Sequence, residues 1–126
     1  MLGPVTPVLR SFDEARTRAF YLDFLGFELV FEHRFEPGMP LYLGVRRREC
    51  VIHLSEHHGD AAPGAAVRIA CDDVTAYAAT LRDKGFGNAR PGAPQPTPWG
   101  TREFAVHDPS HNRLIFFTDM NGDDHE

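Results

Sequence analysis

Apolar positions along the chain run through the same cycle of periods twice. Residues 5–10 read as a short strand containing Pro7, which cannot donate to a ladder, so this strand belongs at an edge or pairs in an unusual way. Ser11-Phe12-Asp13-Glu14 has the S-x-x-E form of a capping box and opens a helix. Within it Phe20 with Phe24, and Tyr21 with Leu25, make i,i+4 apolar pairs, and Gly26 supplies the stop. The period then changes to two: Phe27, Leu29, Phe31 and His33 alternate against Glu28, Val30, Glu32 and Arg34, a strand over residues 27–35. A turn at Glu36-Pro37-Gly38 leads to strands at 41–46 and 50–55, joined around Arg47-Arg48-Glu49. Residues 57–64 form a polar linker containing Gly and Pro.

The second cycle begins with a strand at 66–71, and Asp72-Asp73 caps a helix. Its apolar residues Val74, Tyr77, Ala78 and Leu81 share one face. Lys84-Gly85-Phe86 ends it as Leu25-Gly26-Phe27 ended the first. A proline-rich stretch at 90–98 is read as a stiff connector to Trp99, the lone tryptophan. An alternating strand follows, then the turn Asp108-Pro109-Ser110-His111-Asn112, then a strand at 113–118. Asp13 and Asp73 are offset by 60 positions, Gly26 and Gly85 by 59, and His53 and Ile115 by about 62. Repetition at half the chain length predicts two copies of one βαβββ unit. The expected fold is α+β: one domain over 1–126, with modules at about 5–56 and 66–118, a mixed-sheet concave cleft, helices outside, and an acidic tail at 119–126.

Composition narrows the function classes. No apolar run is long enough to cross a membrane, and no signal-peptide pattern opens the chain. The two cysteines, Cys50 and Cys71, have no metal or redox spacing, which suits a reduced, cytoplasmic setting. A net charge of −5 argues against nucleic acid as a partner. His53, Glu56, His57 and His58 form H-x-x-E-H-H, but on an alternating strand His53 and Glu56 point to opposite faces, and His57 and His58 read as loop residues. His111 stands where a turn of this kind prefers glycine, and histidine tolerates positive φ better than most residues.

Paired βαβββ modules, with F-Y-x-x-x-L-G-F after the first helix and D-P-x-x-N before the last strand, resemble the vicinal-oxygen-chelate superfamily. This group includes glyoxalases, extradiol dioxygenases and antibiotic-resistance proteins. Pro7-Val8-Leu9, and Pro98-Trp99-Gly100-Thr101-Arg102-Glu103-Phe104 ahead of Asp108-Pro109, look like the bleomycin-resistance proteins in particular. The resemblance places the superfamily's metal-ligand positions at Thr6, His53, Ala66 and Ile115. Only His53 is a good ligand, so no metal or other cofactor and no catalytic residue is expected. It further implies a homodimer that exchanges its first strand and binds a bulky planar or cationic antibiotic such as bleomycin. The matching contact positions are Phe31, Tyr42, Ser55 and Trp99, with His53 beside them. His33 and Glu103 are further candidates, and Arg68 stands where relatives carry Trp. Two alternatives stay open: a glyoxalase-like lyase or isomerase with His53, Glu56 or Glu103 as acid or base, and a module that binds an anionic metabolite through Arg68.

Overall fold

The computed structural model describes residues 1–87 and 89–120, so most of the expected acidic tail lies outside the described residues. The chain is α+β and divides into two units. The first comprises Met1–Ala65 together with Asp108–Asn112, and the second Ala66–His107 with the residues from Arg113 onward.

The first unit contains β1 (Val8–Arg10), α1 (Glu14–Arg18) continued as a π turn over Ala19–Phe24, β2 (Glu28–His33), β3 (Tyr42–Arg47) and β4 (Cys50–Ser55). The sheet order is β1-β4-β3-β2, with β1 parallel to β4 and the other pairs antiparallel. As Pro7 predicted, β1 is an edge strand; the Pro7 carbonyl accepts from His53 N at 3.0 Å. Two local expectations are corrected. The helix is capped by Asp13, whose carboxylate accepts from Arg16 N at 3.0 Å, rather than by Ser11. Ser11 bonds the Thr17 hydroxyl instead, while Glu14, the other half of the expected box, binds Arg18 and Arg34. The last helical turn widens to i→i+5, with Leu25 N bonding the Phe20 carbonyl at 2.9 Å, before Gly26 stops it at φ +84°. Phe20, Tyr21, Phe24 and Leu25 are all buried on this segment.

β2 departs from simple alternation. Leu29 pairs with Val45 but Phe31 pairs with Gly44, so Val30 is an extra residue, a β-bulge. A bulge re-aims every side chain beyond it. Leu29 therefore falls on the Val45 side of the sheet, and Phe31 and His33 on the opposite side with Tyr42.

The second unit contains β5 (Ala66–Ala70), α2 (Val74–Asp83), β6 (Gln95–Pro96), β7 (Thr101–His107) and β8 (Arg113–Asp119), in the order β5-β8-β7-β6. Asp73 caps α2 and Gly85 follows it at φ +59°, the counterparts of Asp13 and Gly26. Val74, Ala78 and Leu81 are buried. Tyr77 packs edge-on against Phe104 and Phe116, with ring centroids 6.1 and 5.1 Å away. Within the proline-rich stretch, Gln95 and Pro96 pair with Glu103 and Arg102, so part of the expected connector is an edge strand, where a proline is tolerated.

The D-P-x-x-N turn belongs to the first unit. Asp108 Oδ1 accepts from Ser110 N (2.8 Å) and Asn112 N (2.9 Å), and Oδ2 accepts from Asn112 Nδ2 (2.9 Å) and the Tyr21 hydroxyl (2.7 Å). His111 has φ 71°, as its place in the turn required. Burial, and after it the Asp108 charge, push the Tyr21 phenol well above its ordinary range. The raised value means that this contribution to stability is complete below about pH 10 and is lost as pH rises above it, where the unfolded phenol ionises. Tyr21→Phe should cost about 1.5–3 kcal/mol, the worth of a hydrogen bond to a buried charge, and should flatten the alkaline fall in stability. Urea unfolding across pH 8 to 11 measures both effects.

Candidate functional site

Strand register decides which side chains share a face. In the first unit Val8, His53, Gly44 and Phe31 form one cross-strand row, and Arg10, Ser55, Tyr42 and His33 the next. All eight lie on the same face, whereas Leu9, Leu43, Val45, Ile52 and Leu54, on the other, are buried core. Phe31, His33, Tyr42, His53 and Ser55, expected together from the sequence, are thus brought to one face.

The cluster has defined geometry. The Phe31 and Tyr42 rings are nearly parallel, 15° apart with centroids at 6.1 Å. His53 meets both edge-on, at 5.2 and 5.4 Å, and its Nδ1 is 2.8 Å from the Tyr42 hydroxyl. Phe31 is 39% exposed. Its ring lies across Gly44: a Cβ there would stand 2.4 Å from Phe31 Cε2. Sequence reasoning missed Gly44, although a glycine inside an alternating strand is a signal for close approach. Burial, and secondarily the charge of Asp60, raise the Tyr42 pKa, so the phenol is neutral around pH 7. Ser55 is fully buried; its hydroxyl donates to Asp60 Oδ2 at 2.7 Å and accepts from His57 N at 3.0 Å, pinning the loop after β4. Glu56 is likewise committed, accepting from Leu41 N at 3.0 Å.

The second unit presents a different group. Arg68, beside Ile115 in register, makes a two-point ion pair with Glu103 at 2.9 and 3.2 Å, and its guanidinium lies 4.5 Å above the Phe117 ring. The Thr101 hydroxyl adds a 2.6 Å bond to Glu103. Hydrogen bonds from Arg68 hold the Glu103 carboxyl below its usual range against a smaller effect of burial, with help from Thr101 and the Trp99 indole. The charge of Arg68, the candidate group for an anionic metabolite, is thus met within the unit by Glu103. Trp99 is 64% exposed, on the turn between β6 and β7 that is closed by Thr97 N to the Thr101 carbonyl at 2.8 Å.

These residues do not fit a divalent metal. Register places Val8 opposite His53 and Arg68 opposite Ile115, and none of these three partners of His53's row and its repeat can ligate. Thr6 is exposed ahead of β1, and Ala66 offers no donor atom. Among the described residues no group of three or more His, Cys, Asp or Glu could hold an ion. No described helix is long and apolar enough to cross a membrane.

A family model described as glyoxalase superfamily protein matches residues 2–123. Among solved structures, the bleomycin resistance determinant encoded on transposon Tn5 is similar over 94% of this chain and 98% of its own, at 26% identity and a TM-score of 0.74. A bleomycin-binding protein solved with bleomycin covers 93% and 98%, at 26% identity and a TM-score of 0.70. The bleomycin-binding protein of Streptomyces verticillus, solved with copper(II)-bleomycin, covers 92% and 95%, at 28% identity and a TM-score of 0.69. No curated protein matches the chain.

Gly44→Ala should displace the Phe31 ring at a stability cost of about 1 kcal/mol or less, because the clash is with the far end of an exposed side chain. Paired denaturation and ligand-binding curves should show a near-normal fold with weakened binding. Arg68→Ala should raise the Glu103 pKa toward the ordinary carboxylate value, followed by carboxyl NMR titration. The pair's stabilisation is present above the unfolded carboxyl's range and is lost as pH falls through the lowered value.

Proposed function

The chain belongs to the glyoxalase superfamily, and we propose that within it this protein is a metal-free, homodimeric binding protein that sequesters a bulky planar antibiotic of the bleomycin kind without acting on it chemically. The observation that carries this reading is the Phe31–Tyr42–His53 cluster, a partly exposed aromatic wall held in place by Gly44 and by the Tyr42–His53 hydrogen bond. Aromatic faces stack on planar groups, each such contact contributing about 0.5–1.5 kcal/mol beyond area burial. Neighbours over 25% identical bind bleomycin, which supports the ligand class.

Contacts on the first sheet are Phe31, Tyr42 and His53, with His33 next to them, while Ser55 serves by fixing its loop. On the second sheet the candidates are Trp99 and the Arg68–Glu103 pair. An acid–base enzyme finds less support: Glu56 and Glu103 are committed to structural partners, and among the described residues His53 belongs to no group of three or more His, Cys, Asp or Glu that could hold a metal. Cys50 and Cys71 form no disulfide, which suits the cytoplasm. Dimerisation by exchange of β1 would reuse the Val8–His53 ladder across a two-fold axis.

Titration of metal-free and copper-loaded bleomycin should change the fluorescence of Trp99, the single tryptophan. Trp99→Ala should weaken binding several-fold to about tenfold. Silence from both forms at tens of micromolar rejects the reading. Elemental analysis should find no stoichiometric divalent metal, and sedimentation should give twice the 14.1 kDa chain mass. A bound metal lost on His53→Ala would instead favour the enzyme.

A further inference from the structure

The surface of the first unit carries a wide-open cavity of about 470 Å3 lined by Arg10, Phe12, His58, Asp60 and the loop continuing to Pro63. Arg10 presents its guanidinium here under unusual conditions. One nitrogen, Nη1, donates to the Glu56 carbonyl at 2.8 Å, and the group lies 4.8 Å over the Phe12 ring, but no carboxylate among the described residues pairs with it. Of the five donors on a guanidinium, that carbonyl takes one. Asp60 lines the same cavity, yet its Oδ2 is engaged by the Ser55 hydroxyl and it makes no ion pair with Arg10.

The backbone on both sides of this group is fixed by the Asp108–Asn112 turn. Asn112 Nδ2 donates to the Arg10 carbonyl at 2.9 Å, and Phe12 N donates to Ser110 Oγ at 3.0 Å. Arg10 pairs with Ser55 and Ser55 with Tyr42, so Arg10 and Tyr42 rise from one face, two strands apart. At a strand spacing of about 4.8 Å, that is a separation of roughly 10 Å.

We propose that this cavity is an anion subsite that takes the carboxylate of a ligand whose planar part stacks on Tyr42, two strands and about 10 Å away, and on Phe31 one strand further. A planar guanidinium fork matches a carboxylate's two oxygens. One cation close to the Asp60 charge suits a monoanion better than a dianionic phosphate. Phe12, 54% exposed, covers the hydrocarbon side of the bound group. The proposal rests on the aromatic wall being the ligand surface, and specifies the ligand class for it.

The probes are naphthylhexanoate, whose chain spans the distance, its neutral primary amide, and naphthylacetate, whose chain is too short. On the full-length protein the hexanoate should bind about tenfold more tightly than its amide, the worth of a charge-assisted hydrogen bond, and the acetate should show no advantage over its own amide. Arg10→Gln should abolish the acid's advantage, bringing hexanoate and amide to equal affinity, with a near-UV circular dichroism spectrum like that of the wild type reporting an intact fold. Equal affinity of hexanoate and amide for the wild type overturns the subsite, as does an advantage that survives Arg10→Gln or is shared by the acetate. If Phe31→Ala leaves amide binding unaltered, or no naphthyl probe binds at all, the aromatic-wall reading falls and the subsite falls with it.

Discussion

The first unit depends on the buried carboxylate of Asp108. Burying such a group is costly unless donors replace its hydration, and here four do: two backbone N–H groups of its own turn, the Asn112 amide and the Tyr21 hydroxyl. Each donor ties the carboxylate to another part of the unit. Tyr21 stands in the aromatic core, edge-on to Phe20 at 5.1 Å and Phe27 at 6.2 Å. Asn112 reaches on to the carbonyl of Arg10 at the end of β1, and Ser110 takes the N–H of Phe12 at the approach to the helix. A short edge strand with Pro7 at its start has few ladder bonds of its own, so these side-chain bonds supply much of its fixation.

Above that frame the two repeats carry unlike chemistry at like positions. The row holding His53 in the first sheet corresponds to the row holding Ile115 in the second, and Tyr42 beside Ser55 corresponds to Glu103 beside Phe117. One copy builds a stacking surface over a glycine, and the other a two-point ion pair on a phenylalanine. The backbone repeat constrains which residues share a face but leaves open what they do there.

Much of this was legible in sequence wherever a residue's local chemistry decides the outcome. The glycine stops at Gly26 and Gly85, the Asp73 cap and the positive φ of His111 follow from backbone preferences that act over a few residues. The fold class followed from their repetition. Expectations failed where the folded chain offers a side chain a competing partner. Ser11 and Glu14 match a capping box, but Thr17 and two arginines claim their side chains, and Asp13 caps instead. The alternation of β2 gave its residue type but hid the bulge at Val30, which depends on pairing with β3. The site was legible as a set of aromatic positions on one face. The contacts that order those side chains, Gly44 beneath Phe31 and Asp60 beside Ser55, were not, since both arise from cross-strand or loop contacts.

Charge shows the same limit in its sharpest form. A sequence reveals a guanidinium but not its partner, and the partner determines what the guanidinium offers a ligand. An anion that displaced Glu103 from Arg68 would leave a partly buried carboxylate without its countercharge, a cost of the same kind as the gain. Arg10 carries no such debt: its bond to the Glu56 carbonyl is with a neutral acceptor and persists when other donors of the group are used. The same residue type thus acts as a closed structural pair on one sheet and as an open cation on the other. The difference lies wholly in what stands opposite: Glu103 opposite Arg68, and for Arg10 a backbone carbonyl.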